Sequence, residues 1–555
     1  MALWGDGIVL ANKMKNNFAW DWEIPEKFNI GEACTDSMNQ DGRHDQIAMI
    51  VEDVNLGTSS ITYKELAIKS SQFAELLKQL KVPQQTRILV RLPNCLDYPV
   101  CFLGAMKAGY ISVPTSTLLT AKEIIYLAKD SAAEVLVTDL KTFKTLIPML
   151  SELEFLHTVF ISGEYENYKT AFNIQVKSLG NELKTIKAFS KNYETLANDP
   201  AYLVYTSGTT GYPKGVLHAH RALLGRKPAS EFWFNFSDST DRILHTGKFN
   251  WTYVLGSGLM DPLYLGKTVI VHEGKNDAEG WINLIKKHKA TIFIGVPTIY
   301  RQILQKSTAN KNDVKSLRHC MSAGEHLSDE VFDQWHARFA LDIYEAVGMS
   351  EFSYYISQSA HMPIRPGSAG FPQPGHEIRL LNPDNLEPVK FGEEGMICVP
   401  ENDPGLFLRY WNLAEETKKY RHDGWFFTGD YARFDKDGYL WFLGRKDDII
   451  KSFGYRVSPY EIERVYKNHQ EIIDCAAIGE EIGKNKILVV LYVILKVGSK
   501  ITPNELVVYG RENLATYKAP KIVYIAENFP KTKNGKILRR QIDASISLAK
   551  SDIRL

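Results

Sequence analysis

The sequence has few cysteines, almost no net charge and no long apolar run, and each of these absences excludes a class of protein. The 66 Lys+Arg residues balance the 65 Asp+Glu residues, so the net charge of +1 gives no general attraction to nucleic acid. The longest apolar stretches, such as residues 487–495, are far too short to span a bilayer. Without a C-x-x-C pair, a disulfide framework and a cysteine zinc site are excluded, and we expect reduced thiols at Cys34, Cys95, Cys101, Cys320, Cys398 and Cys475.

The start of the chain also lacks a basic segment followed by an apolar run, so it does not resemble a secretory signal. At 555 residues the chain exceeds what one hydrophobic core usually serves, which predicts two or more domains. Its 44% hydrophobic and 24% charged residues are ordinary for a globular protein. We expect a cytoplasmic enzyme or binding protein with no nucleic-acid partner and no membrane span, either a monomer or a homodimer.

Strand-like apolar runs alternate with amphipathic helices between about residues 47 and 350. One helix is indicated after Thr62, which forms a capping-box pattern with Glu65 ahead of a recurring apolar face. Such alternation predicts α/β layers on mainly parallel sheets. The strand candidates are residues 47–53, 87–90, 111–114, 134–139, 201–207, 268–273 and 290–297.

After about residue 365 the pattern changes to short strands separated by turn signals such as PGSAG, NPDN and DKDG. This change predicts an antiparallel or barrel-like subdomain. A last segment of about a hundred residues mixes the helical pattern EIERVYKNH with the strand patterns DCAAIG and ILVVLYVIL. We interpret it as a small α+β domain.

The most informative segment is YTSGTTGYPKG at residues 205–215, directly after a strand candidate. Its glycines let backbone N–H groups turn toward an anion, its hydroxyls donate further hydrogen bonds, and Lys214 supplies charge, as a triphosphate requires. It is not a Walker loop, because Lys214 is followed by Gly215 rather than Ser or Thr. Nor is Gly256-Ser257-Gly258 a dinucleotide fingerprint, because Asp261 stands in the place of the third glycine.

The string TSGTTGYPKGV closely resembles the phosphate-binding signature of the adenylate-forming superfamily of acyl-CoA synthetases, firefly-type luciferases and peptide-synthetase adenylation domains. Further motifs recur in the family's order along nearly the whole chain. The resemblance implies an α/β fold with a large N-terminal domain (1–445) of two α/β subdomains and a β-barrel-like part at about 365–443. A small mobile α+β C-terminal domain (446–555) would follow, with its hinge at Asp447. The implied activity is that of an ATP-dependent acid–CoA ligase, which forms an acyl-adenylate and passes the acyl group to coenzyme A.

The resemblance also assigns residues to the nucleotide: Asp430 to the ribose, Arg445 to the ribose or a phosphate, and the segment 322–325 to adenine and the acyl carbonyl. Ser350 replaces the family's usual threonine, and Val347 stands where many members carry an aromatic ring against adenine. The implied ATP and AMP contacts are Thr206, Ser207, Gly208, Thr209, Thr210, Gly211, Lys214, Ala323, Gly324, Glu325, Glu345, Ala346, Val347, Gly348, Met349, Ser350, Asp430, Arg445 and Arg456.

Catalysis is implied for Lys536 in the motif PKTKNGK, together with Thr206 and Lys214 of the loop. Glu351 would help hold Mg²⁺, a hard cation that prefers carboxylate and phosphate oxygens. Mg²⁺ at Glu351, the loop from Thr206 to Lys214 and Lys536 would neutralise the negative charge that accumulates when a carboxylate attacks phosphorus. The pantetheine arm of coenzyme A would pass Gly454 and Tyr455.

The acyl pocket is expected to be short, because it would contain the bulky ring of Trp251. Gly348 stands where acetate-specific relatives place a tryptophan, which argues against restriction to acetate. Small to medium monocarboxylic acids, aliphatic or aromatic, are therefore the predicted substrates. An alternative is that Trp251 and Tyr253 are core residues. The full predicted lining is Phe249, Trp251, Tyr253, Gly256, Val296, Gly324 and Ala346.

Two other functions fit parts of the sequence. One is an adenylating enzyme with a different acceptor, such as a carrier thiol, an amine or oxygen. The other is a non-catalytic nucleotide-binding protein, against which the joint presence of Asp430, Glu351 and Lys536 argues. His218 and His220 resemble a metal pair, but no neighbouring cysteine or carboxylate completes a site, so packing or hydrogen bonding is favoured.

Overall fold

The computed structural model describes residues 20–40, 42–168, 173–187, 191–206, 213–236, 239–324, 327–445, 448–452, 455–483, 486–516, 518–531, 537–543 and 546–550. Strands carry numbers in chain order. Within the described residues no helix combines the length and the apolar character that a membrane crossing requires. All six cysteines are free thiols, as predicted. Five of them are buried, and Cys95 is half-buried.

The first sheet has eight strands, six of them parallel. Its antiparallel edge consists of a hairpin and one later strand, all at the end that carries the phosphate loop. In spatial order it contains β19 (Arg409–Tyr410), β9 (Lys214–Ala219), β8 (Pro200–Thr206), β4 (Ile111–Pro114), β3 (Arg87–Arg91), β5 (Val135–Asp139), β6 (Thr158–Ser162) and β7 (Gln175–Ser178).

The second sheet has nine strands with a parallel centre and antiparallel edges. In spatial order it contains β16 (Phe371–Pro372), β15 (Tyr354–Ser357), β14 (Ile343–Gly348), β13 (His319–Ala323), β12 (Ile292–Gly295), β10 (Arg242–His245), β11 (Thr268–Glu273), β1 (Ile47–Asp53) and β2 (Gly57–Thr62). Every predicted strand candidate matches a strand of one of these two sheets.

The third sheet is antiparallel, as the turn-rich pattern after residue 365 predicts. Its strands are β17 (Arg379–Leu381), β18 (Gly395–Pro400), β20 (Arg421–His422), β21 (Trp425–Phe434) and β22 (Leu440–Arg445). The same stretch of chain also sends β16 to the second sheet and β19 to the first. It therefore connects all three sheets rather than standing apart from them.

The remaining strands lie in the last hundred residues. They form a two-stranded ribbon, β23 (Ile450–Ser452) with β24 (Tyr455–Val457), and a four-stranded sheet of β25 (Ile472–Gly483), β26 (Lys486–Leu495), β27 (Ile522–Ala526) and β28 (Ser547–Lys550). The helices Pro459–Lys467 and Pro503–Asn513 pack on that sheet, so the segment is α+β as predicted. The boundary between residues 445 and 446 stays a prediction, because Lys446 and Asp447 lie outside the described residues.

The helix predicted after Thr62 spans Tyr63–Gln79, and both hydrogen bonds of its capping box with Glu65 are present. The other α-helices are Ile30–Thr35, Ser37–Gln40, Asp97–Lys107, Ala121–Ser131, Leu140–Leu146, Leu179–Thr185, Ala229–Phe232, Thr252–Leu255, Asp261–Tyr264, Ala278–His288, Pro297–Lys306, Asp329–Phe339 and Ala414–Lys418, with a π-helical turn at Gly256–Met260.

One buried apolar cluster joins the two large sheets. It holds Val90 and Val204 of the first sheet with Met49 and Val271 of the second, and Phe73 of the capped helix packs into it. Because this core lies between the sheets, it fixes their relative position. The cleft described next is formed where their edges meet the third sheet.

Candidate active site

The phosphate-loop motif is the turn of a hairpin. Thr206 ends β8 and Lys214 begins β9, and the two residues are direct partners across the antiparallel pair. Ser207, Gly208, Thr209, Thr210 and Gly211 lie outside the described residues. The side chain of Lys214 forms an ion pair with Glu416, whose other oxygen lies 2.9 Å from Nζ of Lys419. Hydrogen bonds from the two lysines lower the pKa of Glu416. The loop thus has a fixed, paired cation at its end.

Three neighbouring parallel strands end at one edge of the second sheet. The register pairs Gly295 of β12 with Ser322 of β13, and Ala323 of β13 with Ala346 of β14. Residues that are distant in sequence therefore come together: Val296 and Gly324 directly follow β12 and β13, and Val347 lies near the end of β14. The carboxyl edge of such a sheet is where α/β folds bind ligands.

The segment predicted to line adenine forms the end of β14 and the residues just after it. Glu345 is buried and its Oε1 accepts a hydrogen bond from the Leu327 N–H at 3.2 Å, while Ala346 is buried beside it. Gly348 is exposed, and Val347 and Met349 are half-buried against the core under the third sheet. An aliphatic surface thus replaces the family's aromatic ring. Glu325 lies outside the described residues.

Ser350 connects this segment to two others. Its carbonyl oxygen lies 2.8 Å from Nε2 of His218, and its hydroxyl lies 3.4 Å from Oγ1 of Thr252. Burial lowers the pKa of His218 to about 3, so the ring is neutral and its Nε2–H donates to the carbonyl. The ring also stacks on Tyr202 at 4.7 Å. His218 is therefore a packing and hydrogen-bonding residue, as the sequence favoured.

His220 is structural as well, because its Nδ1 accepts a hydrogen bond from the Ile30 N–H at 3.0 Å. No group of three or more His, Cys, Asp or Glu side chains suited to a metal ion occurs in the part of the chain that the structure describes. An all-protein metal cage is thus not formed by those residues. A magnesium ion held by one carboxylate and by ATP oxygens needs no such cage.

Glu351 is held from two sides. Its carbonyl oxygen accepts the Phe407 N–H at 2.8 Å, and its Oε1 accepts the Tyr410 hydroxyl at 2.7 Å. The Tyr410 ring lies under Nζ of Lys214 at 5.7 Å from its centroid. One side chain thus contacts both the predicted phosphate lysine and the predicted metal carboxylate.

The predicted ribose carboxylate, Asp430, lies on β21 and is 4% exposed. Its register partner on β22 is Arg445, whose Nε lies 3.7 Å from its Oδ1. Asp430, assigned to the ribose by the motif TGD, and Arg445, assigned to the ribose or a phosphate by GRKDD, are therefore neighbours. Their pairing supports a shared role in nucleotide binding.

The predicted residues of the last domain are described only in part. Tyr455 and Arg456 belong to β24, and their side chains, like Gly454, Asp447 and Lys536, lie outside the described residues. Lys531 and Ile537, on either side of residues 532–536, form an isolated β-bridge. Lys531 lies 3.4 Å from Asp474. Burial opposes the charge of Asp474, but Lys467 and Arg301 of the large domain outweigh it and lower the pKa of this carboxyl. Asp474 therefore lies within electrostatic range of the helix Pro297–Lys306, which carries Arg301.

The predicted acyl pocket is assembled around Trp251. Gly324 has a φ of +93°, and a Cβ there would lie 2.9 Å from Cη2 of Trp251. Only glycine therefore fits under the indole, and the tryptophan comes within van der Waals reach of the segment predicted to touch the acyl carbonyl. Tyr253 packs on Trp251 at 5.3 Å, and both rings are half-buried.

Other predicted lining residues differ in position. Phe249 is 1% exposed and packs on Tyr98 at 4.9 Å in the core between the sheets, so it supports the segment from behind. Gly256 begins the π-helical turn, and its missing Cβ leaves room for the hydroxyl of Tyr354. Tyr354, Tyr410 and Glu416 were missed by the sequence reasoning. Their contacts depend on pairings between distant segments, for which the local sequence holds no signal.

Comparison with known proteins identifies this arrangement. A model of the AMP-binding enzyme family matches residues 38–411, and a model of the AMP-binding enzyme C-terminal domain matches residues 461–536. Benzoate–CoA ligase from Thauera aromatica is 30% identical, covering 93% of this chain and 96% of that protein. The mitochondrial acyl-coenzyme A synthetase ACSM3 of Mus musculus is 28% identical, covering 94% and 91%.

Solved structures agree. The anthranilate CoA ligase AuaEII, in complex with anthranoyl-AMP, superposes with a TM-score of 0.83 at 27% identity, covering 93% of this chain and 96% of that chain. A benzoate CoA ligase from Burkholderia xenovorans LB400 superposes with a TM-score of 0.80 at 27% identity, covering 93% and 99%. The predicted superfamily and fold class are confirmed. The chain belongs to the AMP-binding enzyme family.

Proposed function

We propose that the substrate is a small to medium monocarboxylic acid, aliphatic or aromatic, and that Mg²⁺ accompanies ATP at Glu351. The chain is an ATP-dependent, AMP-forming acid–CoA ligase, with ATP and coenzyme A as its other two substrates. The observation that carries the substrate proposal is the contact between Trp251 and Gly324, which limits the pocket close to the reacting carbonyl. The relatives named for benzoate and the neighbour named for anthranilate agree with a pocket of this size.

The first step is attack of a carboxylate oxygen on the α-phosphorus of ATP, with pyrophosphate as the leaving group. Two anions must meet, so the site has to supply positive charge and hydrogen-bond donors where charge accumulates. Lys214 stands at the end of the phosphate hairpin, and the Ser350 hydroxyl lies within reach of Thr252 at the cleft. Lys536 would add a second cation from the last domain. Thr206 would bind the phosphates beside Lys214.

Magnesium fits the residues present. Glu351 is a carboxylate at the mouth of the cleft, its hydrogen-bond donor Tyr410 is neutral, and among the described residues it forms no ion pair, although Arg445 acts on its charge from a greater distance. When bound, the ion would neutralise phosphate charge and withdraw electrons from phosphorus. Asp430 and Arg445 would orient the ribose, and the backbone of Ala323 to Gly324 would lie along the base.

The second step replaces AMP by the sulfur of coenzyme A at the acyl carbon. Gly454 and Tyr455 would line the route of the pantetheine arm, and rotation near Asp447 would remove Lys536 between the two steps. The domain boundary and the hinge are part of this proposal. So is the cytoplasmic location; one relative carries a mitochondrial name.

A panel of acids tests the proposal. Pyrophosphate release and AMP formation are measured with linear acids from two to sixteen carbons and with benzoate and its amino and hydroxy derivatives, each with and without coenzyme A. We expect the highest kcat/KM among short or single-ring acids, and sustained turnover only with coenzyme A. Preference for a sixteen-carbon acid would contradict the short pocket. AMP formation that is indifferent to coenzyme A would indicate a different acceptor.

A further inference from the structure

Three carboxylates face the nucleotide cleft, and the structure neutralises them differently. Glu416 is paired with Lys214 and Lys419, and Asp430 lies 3.7 Å from Arg445. Glu351 instead accepts a hydrogen bond from a phenol, and among the described residues it forms no ion pair. Its carboxylate is thus fixed in place by a neutral donor, and Arg445 acts on its charge only from beyond ion-pair distance.

The phenol belongs to Tyr410, which has little freedom to move. Its side chain is 95% buried, packed on Phe407 at 4.9 Å and near Tyr420 at 6.0 Å, and it lies on β19, where it pairs with Val216 of β9. The Thr417 hydroxyl accepts its backbone N–H at 3.0 Å. With ring and backbone both held, the hydroxyl donates to Oε1 of Glu351 at 2.7 Å.

We propose that Tyr410 is the positioning residue of the magnesium site: its hydroxyl holds Oε1 of Glu351 so that Oε2 faces a divalent cation bound with the triphosphate. This inference rests on the proposed function. Because β19 pairs with β9, the Tyr410 hydroxyl contacts Glu351 while the Tyr410 ring lies beside Nζ of Lys214 in the phosphate hairpin. The two ends of the triphosphate site are therefore set by one side chain.

The choice of a phenol has a physical reason. Magnesium demands near-ideal octahedral geometry and takes few protein carboxylates, so the orientation of each one matters. A lysine or arginine in place of Tyr410 would orient Glu351 but would also compete with the ion for its charge. A buried neutral donor orients without competing, which is how residues around metal ligands tune affinity.

The test measures metal binding directly. Mn²⁺ is titrated by electron paramagnetic resonance into enzyme with α,β-methylene-ATP, against nucleotide alone. Tyr410→Phe removes one oxygen and keeps the ring under Lys214. We expect the Kd for Mn²⁺ to rise at least tenfold, with the KM for the acid unchanged. Tyr165→Phe is the matched control, since the Tyr165 hydroxyl donates to the Val176 carbonyl far from the cleft, and it should leave the Kd unchanged.

A second variant shows whether Tyr410 acts through Glu351. Glu351→Gln keeps an acceptor for the phenol but loses the charge, and should itself weaken Mn²⁺ binding at least tenfold. Adding Tyr410→Phe should then have little further effect, because coupled residues are non-additive. The inference is overturned if Tyr410→Phe binds Mn²⁺ within twofold of wild type. It is also overturned if Glu351→Gln does so, whether or not the tyrosine variant folds.

The outcomes separate the inference from the function. If wild-type enzyme forms AMP with an acid, ATP and coenzyme A while Tyr410→Phe binds Mn²⁺ normally, only the role of Tyr410 fails. If no acid supports AMP formation by the wild type, the proposed function fails, and the Mn²⁺ titration still reports on the carboxylate.

Discussion

Nη2 of Arg464 lies 2.6 Å from Oδ2 of Asp329, and the same guanidinium group lies 5.0 Å from the ring centroid of Trp441. Arg464 belongs to the helix Pro459–Lys467 of the last domain. Asp329 begins the helix Asp329–Phe339, between β13 and β14 of the second sheet, and Trp441 lies on β22 of the third sheet. A cavity of about 370 Å³ lies beside this contact. The contact is shared with neighbouring groups, because Arg433 of β21 lies 3.5 Å from Glu461 and the rings of Phe442 and Tyr460 lie 5.5 Å apart.

Arg464→Ala should slow adenylation measurably while lowering the free energy of unfolding only slightly. The two side chains are 30% and 27% exposed, so the ion pair contributes roughly 1 kcal/mol or less to folding. A loss of up to that size from the domain arrangement of this structure would slow a step that requires this arrangement by about fivefold at most. ATP–pyrophosphate exchange should fall accordingly, while thioester formation from supplied acyl-adenylate is retained.

Arg379→Ala is the control for Arg464→Ala, because Arg379 also pairs with a carboxylate, Glu377, and stacks on a tryptophan, Trp425, but within one domain. It should change neither half-reaction. Equal slowing of both half-reactions by Arg464→Ala would contradict a role in domain arrangement.

Lys536→Ala should abolish adenylation and leave thioester formation from supplied acyl-adenylate mostly intact. The physical reason is that the ammonium group is needed only where negative charge accumulates at phosphorus. Each half-reaction is measured separately in single-turnover experiments. Lys496→Ala, which removes an exposed charge from the same domain, serves as the control. Loss of both half-reactions to a similar extent would refute the assignment of Lys536.

Trp251→Ala should shift preference toward longer acids. Removing the indole opens the pocket beside Gly324, and each newly buried methylene contributes about 0.8 kcal/mol. Two methylenes therefore predict a rise of about tenfold in the kcat/KM of decanoate relative to octanoate. Trp425→Ala, in the third sheet, should leave that ratio as it is. An unchanged ratio in Trp251→Ala would place the indole in the core and outside the pocket.

Acid should destabilise the protein through its buried histidines. Burial lowers the pKa of His220 from 6.5 to about 3, so the unfolded chain binds a proton in that interval and the folded chain does not. The free energy of unfolding then falls as pH drops below 6.5, by about 1.4 kcal/mol per pH unit for each such histidine. The same holds for His218 and His245.

His220→Asn keeps an acceptor for the Ile30 N–H but cannot titrate. Urea unfolding of this variant should show a slope against pH that is shallower by about 1.4 kcal/mol per unit between pH 4 and 6. Measurements at pH 8, where neither state gains a proton, isolate the packing effect of the substitution. Parallel pH profiles for variant and wild type would rule out this linkage.

Local signals in the sequence predict much of this molecule. The capping box at Thr62 and Glu65, the strand candidates of both large sheets and the turn-rich change after residue 365 each depend on neighbouring residues, and all are confirmed. The mainly parallel sheets that the alternating pattern predicts also bring the carboxyl ends of neighbouring strands to one edge. This is why the motifs at Gly324 and Ala346 are adjacent in space.

The contacts around those motifs could not be predicted in the same way. Glu416 meets Lys214 across 202 residues, and Tyr410 meets Glu351 across 59, because the two-residue strand β19 pairs with β9. A two-residue strand has no periodicity to detect. The depth of Phe249 in the core was unpredictable for the same reason, since an aromatic residue beside a pocket and one behind it have the same local sequence.

The stretch from Phe371 to Arg445 forms the third sheet and also contributes β16 to the second sheet and β19 to the first. Because one stretch of chain pairs with all three sheets, the large domain should unfold in one cooperative transition, and its parts should not be stable as separate fragments. Chimeras that exchange parts between relatives should fold only when their crossover points leave these two donated strands with the sheets that receive them.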